Sequence, residues 1–174
     1  MARLYRNSHG FTTIEVIAIL IILAVIVAVA VSKLTGSTSV YGARSAAEEL
    51  KGHLRFAQTR SMNSNVIWGV YFISTTQYAI FKNGSTGTSN WVSPPGAEGS
   101  LCSGYPCVNI RGANAPSDLT LGSLGTSIVS FDDWGSPYTD AGATAAQSGT
   151  RSITVTSGGQ TVTIQIYPNT GYIP

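Results

Sequence analysis

A glutamate stands inside the most apolar stretch of this chain, and its surroundings limit what it can do. Sixteen consecutive apolar residues run from Val16 to Val31, and the 21 residues from Phe11 to Val31 are interrupted only by Thr12, Thr13 and Glu15. An ionisable group in hydrocarbon costs roughly 2.5 to 3.5 kcal/mol at mid-membrane and less near the end, so Glu15 needs a partner. If the chain is cut between Gly10 and Phe11, the new α-amino group lies four residues before Glu15, on the same face of the first helical turns. Within one chain the two groups pair weakly. Between staggered chains the amine of one meets the carboxylate of the next, which sets an axial register that purely apolar helices lack.

Other chemistry-bearing residues are sparse. His9 and His53 are the only histidines, one near the start and one in a helical pattern, so neither a histidine metal cluster nor a Ser/His/Asp triad has material. His53 reads as a solvated helix residue. Asp132 and Asp133, with Asp118 or Asp140, offer oxygen donors for calcium, but an Asp pair before Trp-Gly-Ser-Pro reads as a turn, and no metal is expected. No P-loop, dinucleotide glycine fingerprint or CxxC motif is present, so no cofactor and no enzymatic activity are expected. Cys102 and Cys107 are the only cysteines and lie in a short loop with Gly104, Tyr105 and Pro106. Outside the cytoplasm such an isolated pair favours a disulfide, worth roughly 2 kcal/mol by chain closure and mainly fixing the loop's shape. Two free thiols are the alternative.

The element that carries Glu15 is a helix about 31 Å long at about 1.5 Å per residue, matched to a hydrocarbon core of roughly 30 Å. It can cross a bilayer once. Arg3, Arg6 and His9 precede it while Lys33 alone follows closely, a bias that keeps the N-terminus cytoplasmic and sends the rest of the chain outside. A secretory signal with an A-x-A site at Ala28-Val29-Ala30 is one competing reading, although the apolar run exceeds the usual length and holds a carboxylate. A plain single-pass anchor is another, and it leaves Glu15 unexplained.

The run Gly10-Phe11-Thr12-Thr13-Ile14-Glu15, with a short basic leader before it and the apolar stretch after it, resembles the type III signal of type IV pilins and of the pseudopilins of type II secretion. That resemblance implies cleavage after Gly10 by a membrane-embedded prepilin peptidase and N-methylation of Phe11. It also implies that Glu15 recruits a neighbour's N-terminus during assembly. The implied partners are the peptidase, other pilins or pseudopilins through the N-terminal helix, and the inner membrane before assembly.

Beyond Val31, Ser32 to Ser39 is rich in residues that weaken helix and reads as a thin or partly melted place. The pattern recovers with Ala43, Ala47, Leu50, Leu54, Ala57 and Ser61 on one stripe, and Glu48, Lys51, Arg55 and Gln58 on other faces; Asn63-Ser64-Asn65 supplies the stop. Then the period becomes two. Val66, Trp68, Val70 and Phe72, alternating with Ile67, Gly69, Tyr71 and Ile73 and followed by Gln77 to Lys82, predict one hairpin; Ile153 and Val155 with Val162, Ile164 and Ile166, around Ser157-Gly158-Gly159-Gln160, predict a second. Leu119 to Leu121 and Ile128 to Phe131 are shorter strand candidates, and residues 83–118 and 135–152 read as loops. This order, with the turn Phe131-Asp132-Asp133-Trp134-Gly135 and a tail near Gly171, resembles the GspH/FimT-type pseudopilins and minor pilins. The expected fold is α+β: a leader (1–10), an N-terminal helix (11–62) whose transmembrane segment is 11–31, and a β-rich domain (63–174) with two antiparallel sheets packed on the helix.

Composition narrows the function. Only 10% of residues are charged, and the formal net charge of +2 comes from Arg3 and Arg6, since the other eight basic residues balance eight acidic ones. No field steers the chain to anionic partners. The expectation is a non-enzymatic assembly subunit of a type IV pilus or a type II secretion pseudopilus, a minor pilin or pseudopilin, held in the inner membrane with its C-terminal domain in the periplasm and then extracted into the fibre. The alternative is a DNA-uptake or adhesive minor pilin. Nucleic-acid capture needs clustered Lys or Arg, and the tail Tyr167 to Pro174 has none; only a convergence of Lys82, Arg111 and Arg151 on one face would supply a patch.

Overall fold

The computed structural model describes residues 12–111 and 115–174, and the chain divides into two compact units, Met1–Ser37 and Thr38–Pro174. One helix, α1 (Thr13–Ser64), contributes to both. Thr12 starts it: its carbonyl accepts from the Glu15 and Val16 N–H groups, at 3.0 and 3.2 Å, and its hydroxyl lies 3.4 Å from the Glu15 nitrogen. Thr12 and Glu15 thus stand at the ends of a T-x-x-E capping pattern. The helix runs without a break through residues 32–39, contrary to the expected thin place. Ser and Thr lower helix propensity by tenths of a kcal/mol and a single Gly by about 1, whereas only Pro removes the hydrogen bond outright, and that segment has no Pro. At the other end Asn65 takes a left-handed φ of +52° and turns the chain out of the helix.

In the unit Thr38–Pro174, the stripe predicted for α1 is the buried one: Ala43, Ala47, Leu50, Leu54, Ala57 and Ser61 are all fully buried. They meet two antiparallel sheets. The larger is built from β1 (Trp68–Phe72), β2 (Gln77–Phe81), β3 (Trp91–Val92), β6 (Val108–Asn109), β8 (Ile128–Phe131) and β9 (Pro137–Tyr138), in the order β3-β2-β1-β8-β9 with β6 on β2. The smaller is β11-β10-β7, from β7 (Thr120–Gly122), β10 (Arg151–Ser157) and β11 (Gln160–Ile166). Alternation decides what faces the helix: Val70, Phe72, Val129 and Phe131 come from the first sheet, and Ile153, Val155, Ile164 and Ile166 from the second. The β10–β11 hairpin closes on Gly158 and Gly159, with φ of +56° and +73°, the positive values that a two-residue type I′ turn requires.

A third, two-stranded ribbon joins β4 (Leu101–Cys102) to β5 (Tyr105–Pro106). It lies in a segment expected to be loop. That reading holds for most of 83–118 and 135–152, but β3, β4, β5, β6, β9 and a 3-10 turn at Thr88–Asn90 are formed there. Two-residue ladders are too short to show a period in sequence, and their partners across the sheet define them.

Candidate functional site

Thr13–Ala30 of α1 is long and apolar enough to cross a membrane. Its large side chains, Ile17, Leu20, Ile21 and Leu23 among them, are exposed on all sides. A solvated helix does not carry such a surface; it needs lipid or other apolar helices around it. Glu15 is exposed at the helix start and sits in the first turn, where the helix dipole favours a carboxylate. Gly10 and Phe11, the expected positions of cleavage and methylation, lie outside the described residues.

The two cysteines form a disulfide, with Cα atoms 5.6 Å apart. Cys107 is fully buried and packs with Cys102 and Ala79 under Ile73 and Trp91. The bridged ribbon therefore covers the face of β2 that looks away from α1. Trp91 and Tyr105 meet edge to face at 6.2 Å, and Leu101 and Tyr105 stay exposed at the ribbon's tip.

The carboxylates do not converge. Asp132 accepts the N–H groups of Trp134 and Ser136, at 3.0 and 2.8 Å, and the Tyr138 hydroxyl at 3.1 Å; this last bond raises the Tyr138 pKa. Asp140 binds Thr144 and the Ala145 N–H. Burial pushes its pKa up, and those hydrogen bonds outweigh it and hold the group below the usual carboxylate range. Asp118 accepts from the Gly158 N–H and the Ser157 hydroxyl, which likewise lower its pKa. Each acid ties one turn. Among the described residues no group of three or more His, Cys, Asp or Glu is placed to hold a metal ion.

Two of the basic residues, Arg151 and Arg111, are engaged with backbone carbonyls. Arg151 gives its guanidinium to the carbonyls of Leu124, Thr126 and Ile128, clasping the turn between β7 and β8, and burial lowers its pKa to about 10. Arg111 donates to the Leu119 carbonyl at 2.8 Å. Arg151 serves neighbouring backbone with its whole fork, whereas Arg111 uses its Nε and stays exposed.

His53 corrects the sequence reading: it is buried, not solvated. Its Nε2 lies 3.0 Å from the Pro95 carbonyl and its Nδ1 2.7 Å from the Tyr78 hydroxyl. A carbonyl only accepts, so Nε2 carries a proton, and in the neutral ring Nδ1 then accepts from the Tyr78 hydroxyl. Burial, followed by the charge of Glu49, pushes the Tyr78 pKa well up, so the phenol keeps the proton it donates. A lone histidine between Gly52 and Leu54 gave no sequence signal of this pairing.

Gln58 is a second residue that sequence reasoning missed. Its amide donates to the carbonyls of Gly135 and Gly171, at 2.9 and 3.1 Å, and so pins the 132–135 turn and the C-terminal tail to α1. Beside it Trp134 is 81% exposed and Tyr172 61%, flanking an open groove of about 580 Å³ with Arg55 and Met62.

No family model matches the chain, and no curated protein does. Among solved structures, it is similar to the type IV minor pilin FimU of Pseudomonas aeruginosa in two crystal forms. One is 18% identical, with 76% of this chain and 86% of that one covered and a TM-score of 0.46; the other is 17% identical, with 75% and 90% covered and a TM-score of 0.44. Both likenesses are distant, and the function has to be read from this chain's own residues.

Proposed function

We propose that this chain is a non-enzymatic assembly subunit, a minor pilin or pseudopilin, of a type IV pilus or a type II secretion pseudopilus. One observation carries the reading: an apolar helix of membrane-crossing length bears a carboxylate in its first turn and is the same helix that forms the core of the β-rich unit. An anchor alone needs no Glu15. In the proposed cycle a prepilin peptidase cuts after Gly10 and methylates Phe11. The chain waits in the inner membrane with its β-rich part in the periplasm, and Glu15 then receives the N-terminal amine of a neighbour as the helix leaves lipid for the fibre. Apolar contact holds the helices together, and the ion pair fixes their stagger.

Intact-mass analysis of protein from its native cells tests the processing step. The expected species begins at a methylated Phe11; a chain starting at Val31, or one that keeps Met1 where the peptidase is active, would sink the reading. Capture of DNA as the main function is disfavoured because Arg111 and Arg151 are engaged with backbone carbonyls. No band shift of duplex DNA is expected near physiological salt at micromolar protein.

A further inference from the structure

The chain has three tryptophans, and two of them place their ring N–H groups inside the fold. Trp68 donates to the Ser64 hydroxyl at 3.0 Å, and Trp91 to the Thr86 carbonyl at 2.9 Å. Trp134 differs: its indole N–H has no partner among the described residues, and its ring is more exposed than any other large apolar side chain among them. Yet the turn under it is held firmly. The Asp132 carboxylate accepts the backbone N–H of Trp134 at 3.0 Å, Gln58 holds the Gly135 carbonyl at 2.9 Å, and the Ser136 hydroxyl donates to the Asn169 carbonyl at 2.8 Å. On the other flank of the groove Tyr172 leans on Tyr167, with ring centroids 5.9 Å apart, and its backbone N–H reaches the Thr170 hydroxyl at 3.3 Å. Two open aromatic rings thus stand on a frame that is set before anything binds, which lowers the ordering cost of binding.

We propose that this groove binds a neutral glycan, with the C–H faces of adjacent hexopyranose rings on Trp134 and Tyr172 and their hydroxyls on the polar groups between. Those groups have capacity left. Gln58 spends its amide N–H groups on backbone carbonyls, and its Oε1 accepts nothing among the described residues. Arg55 places one guanidinium nitrogen on the Ile173 carbonyl at 2.8 Å and keeps its other N–H groups, and Thr59 adds a hydroxyl. A pyranose ring matches this set, because it offers an apolar C–H face and a rim of hydroxyls that both donate and accept. Two other occupants fit less well. A nucleic acid needs clustered cations, and Arg55 is the one charged side chain among the described residues lining the groove. An apolar helix or strand would cover the Gln58 oxygen and the Thr59 hydroxyl without giving either a partner, which costs more than leaving them wet. The glycan is met only if the β-rich unit stands outside the cytoplasm, and in that respect the proposal rests on the assembly reading.

The test titrates the full-length chain, in a detergent without a sugar headgroup, with cellohexaose, maltohexaose and the N-acetylglucosamine hexamer. Trp134 is its own reporter. At least one of the three sugars should shift tryptophan emission to the blue in a saturable way and protect it from acrylamide; no saturable change with any of them overturns the proposal. Calorimetry then compares variants, since replacing Trp134 removes the reporter. Trp134→Ala should weaken binding about ten-fold, the loss of one aromatic contact, while Trp134→Phe keeps most of it and thermal unfolding stays unchanged in both. Equal affinity in wild type and Trp134→Ala would place any sugar elsewhere and overturn the site. So would a single-stranded DNA oligomer that moves the same emission at lower concentration than every sugar, or sheared fibres in which Trp134 is already shielded from acrylamide by a neighbouring subunit. A chain that binds the sugar in detergent, yet keeps residues 1–10 in its native cells or never enters a fibre, would defeat the assembly reading and leave the glycan site standing. A processed, fibre-forming chain that binds none of the three sugars defeats the glycan site alone.

Discussion

The assembly role proposed for Glu15 has to be separated from a local one, because a carboxylate in the first turn also favours the helix start that Thr12 caps. Glu15→Gln keeps a polar group at that position and removes the charge, whereas Glu15→Val removes both. If the charge receives a neighbour's amine, both variants should insert in the membrane and both should be depleted from sheared fibres relative to the membrane pool. Full incorporation of Glu15→Gln would reduce the residue to a helix-start device. His53 gives a prediction of stability. Replacing it with Phe leaves the buried Tyr78 hydroxyl without its partner, at a cost of about 1–3 kcal/mol in urea unfolding, while the Pro95 carbonyl belongs to an exposed residue and can turn to water. Adding Tyr78→Phe should recover most of that loss, since the orphaned hydroxyl disappears. Asp118 sets a sign for pH. Its folded pKa is lowered, so between that value and the ordinary carboxylate value the unfolded chain binds more protons, and stability falls as pH falls through this window. Asp118→Asn should flatten the acid limb of a melting-temperature profile; an unchanged limb would remove the group from the account.

At the scale of elements, the long helix and the two hairpins were legible because their signals are periodic. The six positions of the α1 stripe alternate by four and three residues, and β10 and β11 alternate by two around Gly158-Gly159. What escaped were contacts that join distant parts of the chain. Gln58 looked like one more polar residue on a helix, yet its partners are 77 and 113 residues away. The glycines were visible in the sequence, but their reason lies in this node. A Cβ at Gly171, whose φ is +60°, would fall 2.3 Å from the Gly135 carbonyl oxygen and 2.5 Å from the Gln58 nitrogen. Gly171→Ala should therefore cost well over 1 kcal/mol and free the tail to protease, a result read by thermal unfolding and by the loss of the last few residues on limited digestion. The short strands escaped for the same reason, being defined by partners across the sheet. The disulfide was legible as a pair, while its place against Ala79 and Trp91 was not.

At the scale of the whole molecule, the packed core and the apolar helix are different materials. Every side chain in the main core, from Ala43 to Ile173, falls after Thr38. The large exposed apolar residues from Ile14 to Val29 all fall before Ser37. Removing residues 1–37 thus takes away the surface that needs lipid or neighbouring helices and leaves the core contacts of the second unit in place. The cost is a new helix end before Ala43, where the first turn loses its intrahelical partners and frays. A fragment of residues 38–174 is expected to be soluble without detergent, to unfold in one cooperative step, and to melt within a few degrees of the full chain in detergent. A fragment that aggregates or melts without cooperativity would mean that the residues before Thr38 belong to the folding unit and do more than anchor it.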